Sequence, residues 1–234
     1  MRLDKFFSNT ATLSRSECAK AARAGLITVD GAVIKDPSFS VDPEKNVIAY
    51  KGERVIYKEF IYIMLNKPEG YVCSNDEPGG SIVLDLIDQR LLKLDLFVCG
   101  RLDKDTTGLV IITNDGVSAH NALSPKRHVS KEYEFSLADP VTAEDIEKLK
   151  KGVTLADGTE TLPCEITVKN EKEGIIILHE GKYHQIKRMF ASVGNKIVRL
   201  KRTKFGGIGI DPSLLPGRWR YLTPEEERIF RGLA

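Results

Sequence analysis

The chain has 234 residues, a formal net charge of +2, 41% hydrophobic and 29% charged residues, the balance of a globular protein with room for two small domains or one large one. No apolar run reaches the length of a membrane span, and the opening Met-Arg-Leu-Asp-Lys lacks an apolar signal core, so the expected location is the cytoplasm and no membrane partner is expected. Cys18, Cys73, Cys99 and Cys164 are scattered without a Cys-x-x-Cys pair, which indicates neither a disulfide framework nor a zinc site.

Residues 1 to 57 read as a separate small module. Arg2-Leu3-Asp4-Lys5-Phe6-Phe7 opens a helix with apolar positions at helical spacing. Ser14-Arg15-Ser16-Glu17 has the form of a capping box, Ser14 at the N-cap and Glu17 at the third helical position, starting a second helix that stops near Gly25. Asp30-Gly31 between two apolar runs predicts a hairpin, and Asn46 to Tyr50 a further strand.

Residues 58 to 234 form the larger unit. Ile61 to Asn66 is a strand stopped at Lys67-Pro68, and a loop rich in Gly, Asp and Pro follows over 74–80. Ser81 to Leu92 has helical periodicity. Leu96 to Cys99 and Leu109 to Thr113 read as apolar strands, with Asp115-Gly116 as a strand-end turn. Tyr133 to Leu137 alternates as a half-buried strand, and Thr142 to Lys151 is an amphipathic helix capped by Thr142 and ended by Gly152. Gly174 to His179, Ile197 to Leu200 and Arg220 to Leu222 are strands, Tyr183 to Val193 a helix, and Thr223-Pro224-Glu225-Glu226 starts a terminal helix. Many strands with few helices between them predict an α+β chain: a small α/β module, then a larger domain on a mixed, mostly antiparallel sheet with flanking helices.

Two features point to chemistry. The polar loop Gly100-Arg101-Leu102-Asp103-Lys104-Asp105-Thr106-Thr107-Gly108 lies between two apolar strands, where a rigid scaffold can present a reactive carboxylate, and Arg101 beside Asp103 favours its ionised form. Charge is also segregated: Gly181 to Lys204 carries eight basic residues and no acidic one, whereas Asp139 to Glu173 is acid-rich. Such a pattern predicts a basic face able to neutralise phosphates.

The first module, with Arg-Leu-Asp-Lys-Phe, Ser-Arg-Ser and Gly-x-Ile-x-Val-Asp-Gly, resembles the RNA-binding module named after small-subunit ribosomal protein S four. That resemblance implies RNA contacts at Ser14, Arg15, Lys20 and Arg23, with Lys5 and Lys35 as further phosphate contacts. Four segments of the larger unit resemble the RsuA-type pseudouridine synthases: Met64 to Tyr71, Gly100 to Asp103, Lys131-Glu132-Tyr133, and Glu180 to Met189. Gly206-Gly207-Ile208 and Leu215-Pro216-Gly217-x-x-Arg220-x-Leu222 extend the match, so that it spans nearly the whole chain.

The resemblance implies isomerisation of uridine to pseudouridine in RNA, a reaction without redox change or group loss, and so no cofactor and no metal. It assigns the catalytic carboxylate to Asp103, as a nucleophile on sugar or base or as a base removing a ribose proton, with Asp105 and Asp115 as competitors by chemistry alone. Lys187 takes the place of the cation paired with it, since a desolvated aspartate left unpaired becomes protonated. Tyr133 matches the tyrosine that stacks on the target base. Arg101, Lys131, Tyr183, His184, Gln185 and Arg188 are expected around the substrate, which must leave the RNA stack to reach the pocket. The phrase Met-Leu-Asn-Lys-Pro-x-Gly-Tyr-Val-Cys-Ser and the absence of a long basic tail after Arg231 lean towards the type acting on 16S ribosomal RNA, within a small-subunit assembly particle, as a monomer. Alternatives are an enzyme of 23S ribosomal RNA, a non-catalytic ribosome-assembly factor, and a hydrolase releasing free uracil.

Overall fold

A computed structural model describes residues 1–74 and 80–233; most of the Gly-, Asp- and Pro-rich loop expected at 74–80 thus lies outside the described residues. The chain divides into two compact units, Met1–Ile61 with Ile87–Leu96, and Tyr62–Leu86 with Phe97–Ala234. This differs from a division after residue 57, because 87–96 belongs with the first unit. Ile87, Leu91 and Leu96 are buried there, and Lys93 is close enough to add to the hydrogen bonds from Ser14 that hold Glu17 below the usual carboxylate range.

In the first unit, α1 (Leu3–Asn9) and α2 (Arg15–Arg23) pack beside a four-stranded sheet of β1 (Ile27–Val29), β2 (Ala32–Val33), β3 (Ile48–Tyr50) and β4 (Glu53–Arg54), ordered β2-β1-β3-β4. Both halves of the capping box form: Glu17 N donates to Ser14 Oγ at 3.3 Å, and Ser14 N to the Glu17 carboxylate at 2.7 Å. Asp30 and Gly31 both take positive φ, as the tight β1–β2 turn requires. Leu3, Phe6 and Phe7 of α1, Cys18, Ala21 and Ala22 of α2, and Ile27, Val29 and Ile48 form one core.

The second unit is built on β5 (Tyr62–Lys67), β6 (Phe97–Cys99), β7 (Thr107–Thr113), β8 (Lys131–Leu137), β9 (Glu165–Asn170), β10 (Glu173–Leu178), β11 (Ile197–Phe205), β12 (Ile208–Gly209) and β13 (Trp219–Tyr221). The order is β13-β5-β7-β11-β8-β10-β9, with β6 on β7 and β12 on β11. Among the described ladders only β7–β11 is parallel. All six residues of β5 are buried and β7 is almost as enclosed, so these strands read as continuous apolar runs. The helices are α3 (Gly116–Leu123), α4 (Ala143–Lys151), α5 (Gln185–Ser192) and α6 (Pro224–Gly232). Thr142 caps α4, and Thr223 with Glu226 makes a second capping box on α6.

Two expectations need correction. Ser81 to Leu92 is not a helix but two short 3-10 turns, Val83–Leu86 and Leu91–Leu94. Asp85 and Asp88 take the backbone N–H groups of Ile82 and Arg90 onto their side chains, a local alternative to the helix ladder. Asp115-Gly116 is not an open turn but the start of α3: Asp115 accepts from Ser118 N at 3.0 Å and from the Tyr62 hydroxyl at 2.6 Å. No helix of the described residues is long and apolar enough to cross a membrane.

Candidate active site

The loop between β6 and β7 carries Asp103, and its backbone is held from beneath by two buried cations. Lys67, fully enclosed at the end of β5, donates to the carbonyls of Pro68, Lys104 and Thr106 at 3.1, 3.1 and 2.7 Å. Arg202, 1% exposed on β11, donates to Gly100 O at 2.7 Å and Leu109 O at 2.8 Å, so one guanidinium ties both ends of the loop. Gly108 is the residue that lets β7 pass β11 so closely, since a Cβ there comes within 2.3 Å of Arg202 O and its φ is +101°. Burial pushes Lys67 below the usual lysine range, partly offset by Cys73, Asp105 and Asp103 nearby.

Lys187, in the first turn of α5, meets the loop from the opposite side. Its Nζ donates to Asp103 Oδ2 at 2.9 Å and to Asp105 Oδ1 at 2.5 Å. Burial opposes the charge on Lys187, but the hydrogen bonds it donates to Asp105 and Asp103 outweigh it and raise the ammonium above its ordinary value. Burial likewise opposes the charge on Asp105, and the bond from Lys187 overrides it, leaving the carboxyl below the usual range. His184 Nε2 stands 3.4 Å from the other Asp103 oxygen. The turn leading into α5 is organised by Glu180, whose carboxylate accepts from Leu162 N at 2.8 Å, from Gln185 Nε2 at 2.6 Å and from the Lys182 ammonium.

Asp103 and Lys187 open onto a cavity of about 700 Å³ that also takes in Arg101, Lys131, Tyr133, His184 and Gln185, within the usual size of small-molecule sites (roughly 300–1,000 Å³). Tyr133 is 8% exposed and lies opposite Arg202 across the β8–β11 ladder. The fold thus brings together seven of the nine residues expected around the reaction. Tyr183 is not among the cavity's residues: it is 76% exposed and stacks on the His184 ring at 3.8 Å. Arg188 is turned away, bonded to Tyr183 O at 3.2 Å and paired with Asp157 at 2.5 Å. Arg101 is exposed and makes no ion pair among the described residues, so the cation bonded to Asp103 is Lys187 rather than its sequence neighbour, with the His184 ring on the other side.

The eight basic residues between 182 and 204 are not used alike: Lys196 and Arg199 are exposed and Lys201 is half-buried. Lys182 pairs with Glu180, Lys187 with the two aspartates, Arg188 with Asp157 and Lys204 with Glu132, while Arg202 is buried. On β11 the buried Arg202 faces away from Arg199, Lys201 and Lys204, and the acid-rich segment supplies Asp157 as the partner of Arg188. In the first unit, Lys5, Arg15, Lys20, Arg23 and Lys35 are all exposed. Ser14 is occupied as the helix cap.

Sequence reasoning missed the loop-supporting roles of Lys67 and Arg202, the sharing of Lys187 by Asp105, and Glu180. The available signal was a lysine closing a run of buried strand residues and an arginine at an inward position of β11. Among the described residues no group of three His, Cys, Asp or Glu side chains is placed to hold a metal.

Residues 61–192 match the family model described as RNA pseudouridylate synthase, and residues 1–47 match the S4 domain. The chain is 42% identical over 230 residues to an uncharacterized RNA pseudouridine synthase of Bacillus subtilis, covering 97% of this chain and 96% of the relative. It is 44% identical over 230 residues to ribosomal small subunit pseudouridine synthase A of Vibrio vulnificus, covering 97% of each, and 42% identical over 228 residues to that of Escherichia coli, covering 97% and 98%. A crystal structure of a pseudouridylate synthase, 38% identical, superposes with a TM-score of 0.70 over 98% of this chain and 99% of its own.

Proposed function

The chain belongs to the RNA pseudouridylate synthase family, in its RsuA-like branch with an N-terminal S4 domain, and from that premise we propose that it isomerises one particular uridine of 16S ribosomal RNA. The choice of the small-subunit RNA rests on relatives named for that substrate, at 41 to 44% identity over nearly their full length. The observation that carries the chemistry is the Asp103 carboxylate, bonded to Lys187 at 2.9 Å on the wall of a cavity that also contains Tyr133.

In this reading the target nucleotide leaves the RNA stack and its base enters the cavity. Asp103 supplies the carboxylate that the bond exchange needs, and the bond from Lys187 keeps it aimed. Tyr133 presents its ring face to the base. Lys67 and Arg202 fix the loop so that Asp103 meets the nucleotide in one geometry. The S4 domain brings the RNA, with Lys5, Arg15, Lys20, Arg23 and Lys35 as its phosphate contacts.

The deciding experiment maps pseudouridines in ribosomal RNA from cells with and without the gene. Loss of one modified position in 16S RNA is the expected result. Loss in 23S RNA moves the assignment to the large subunit, and an unchanged map in both removes the ribosomal substrate.

A further inference from the structure

The wall of the cavity carries two cations, Arg202 and Lys131, with no acidic partner among the described residues. Arg202 spends its hydrogen bonds on the backbone carbonyls of Leu109 and Gly100. Lys131 is half-buried and donates to Val129 O at 2.9 Å. The two flank one aromatic ring: the Lys131 ammonium lies 5.7 Å from the centre of Phe205, and the Arg202 guanidinium 5.5 Å from it. Among the described residues neither makes an ion pair, whereas the other lysines of the cavity, Lys182 and Lys187, both do. Burial and the neighbouring Arg202 hold Lys131 below the usual lysine range, with Cys99 and Glu180 opposing weakly. The arrangement is short of negative charge.

Depth tells which part of a nucleotide reaches it. The side chains of Asp103 and Lys187 keep 27% and 24% of their exposure, while Arg202 keeps 1%. The phosphates of an extruded nucleotide stay joined to the RNA at the open end, and the base is the part that travels inward. Lys131 and Tyr133 are two residues apart on β8, hence on one face of the sheet, and Arg202 is the cross-strand partner of Tyr133. The cations therefore edge the same surface against which the ring would lie.

We propose that Lys131, backed by the buried charge of Arg202, is an oxyanion site for the carbonyl oxygens of the uracil ring. This rests on the reading of the chain as a pseudouridine synthase. When the C1′–N1 bond breaks, its electron pair stays with the ring and spreads over N1 and the carbonyl oxygens, and the electron-poor ribose is met by Asp103. When C5 bonds to C1′ the pair is returned, C5 gives up its proton and N1 takes one, so that nothing is oxidised and no atom is lost. An ammonium preset where this charge develops favours the detached ring over the bound uridine, and so raises the rate rather than the affinity.

The test compares uracil with barbiturate, a uracil-shaped ring that is an anion at neutral pH, by titration calorimetry on the full chain. Barbiturate is expected to bind the wild type at least about tenfold more tightly than uracil, from one charge-assisted hydrogen bond, and Lys131→Met to erase that preference. In single turnover, tritium release from carbon 5 of uridine should fall about 10²-fold in Lys131→Met, with RNA affinity unchanged and most of the rate kept in Lys131→Arg. Equal binding of the two rings by the wild type, a preference surviving in Lys131→Met, or a loss of RNA affinity in place of rate overturns the proposal. A wild type that releases no tritium tells instead against the enzymatic reading, and the calorimetric comparison still decides the anion site.

Discussion

The two units present positive charge in opposite ways. In the first, Lys5, Arg15, Lys20, Arg23 and Lys35 are exposed, and none is fixed by an ion pair or side-chain hydrogen bond among the described residues. In the second, Lys67, Lys187 and Arg202 are each held by two or three bonds, two of them fully enclosed. A solvated cation on a flexible stem can follow a phosphate wherever the backbone runs, at little desolvation cost. A group that must meet a single reacting atom has to be fixed in advance. On the proposed function the contrast divides the labour: grip on the RNA in one unit, aim at the nucleoside in the other.

Substitutions should separate these roles, the largest effect coming from the fixed set. Lys187→Met is expected to lower the single-turnover rate by about 10²-fold or more, because Asp103 loses both its charge partner and its placement, while RNA affinity in a filter-binding assay stays level. The pH dependence follows from Lys187 and its second partner, Asp105. Asp105 is held below the usual range, so its bond to Lys187 is complete above about pH 4 and is lost only as pH falls through that lowered value. Lys187 is raised, so its charge is complete up to about pH 10.5 and is lost only as pH climbs through the raised value. A rate limb between these limits therefore has to come from another group.

Lys67→Met should cost about 2–3 kcal/mol in denaturant unfolding, since three carbonyls, that of Thr106 buried, lose their donor, with a fall in turnover alongside. Unchanged stability in that variant breaks the picture of a loop clamped from below. In the first unit, Arg15→Ala with Arg23→Ala should weaken RNA binding and lower the slope of log affinity against log salt by about 1.5, leaving the rate at saturating RNA within a factor of a few. A rate loss at saturation erases the division of labour. The smallest effect belongs to Ser14→Ala, about 1 kcal/mol of stability from the lost helix cap, with little change in RNA affinity once folding is complete.

Most elements were legible from short stretches of chain because their physics is local. Ser14 with Glu17, Thr223 with Pro224, and Asp30-Gly31 each specify a helix start or a turn within four residues. The placement of Lys187 against Asp103 across 84 residues of chain came from resemblance together with the need of a half-buried carboxylate for a cation. What stayed illegible depends on distant strands. The basic run of 182–204 looks uniform on paper, but acids elsewhere in the chain claim Lys187, Arg188 and Lys204, and the sheet buries Arg202. Lys67 and Arg202 look like ordinary charges until β5, β7 and β11 are assembled around the loop they support. The reading of Ser81 to Leu92 as a helix failed because aspartates offered the backbone a nearer acceptor than the next helical turn.

A catalytic carboxylate at Asp103 is the central claim. With RNA carrying tritium at carbon 5 of uridine, Asp103→Asn should release label at least about 10⁴-fold more slowly than the wild type, with the same melting temperature and the same affinity for RNA. Turnover near the wild-type rate in that variant contradicts it.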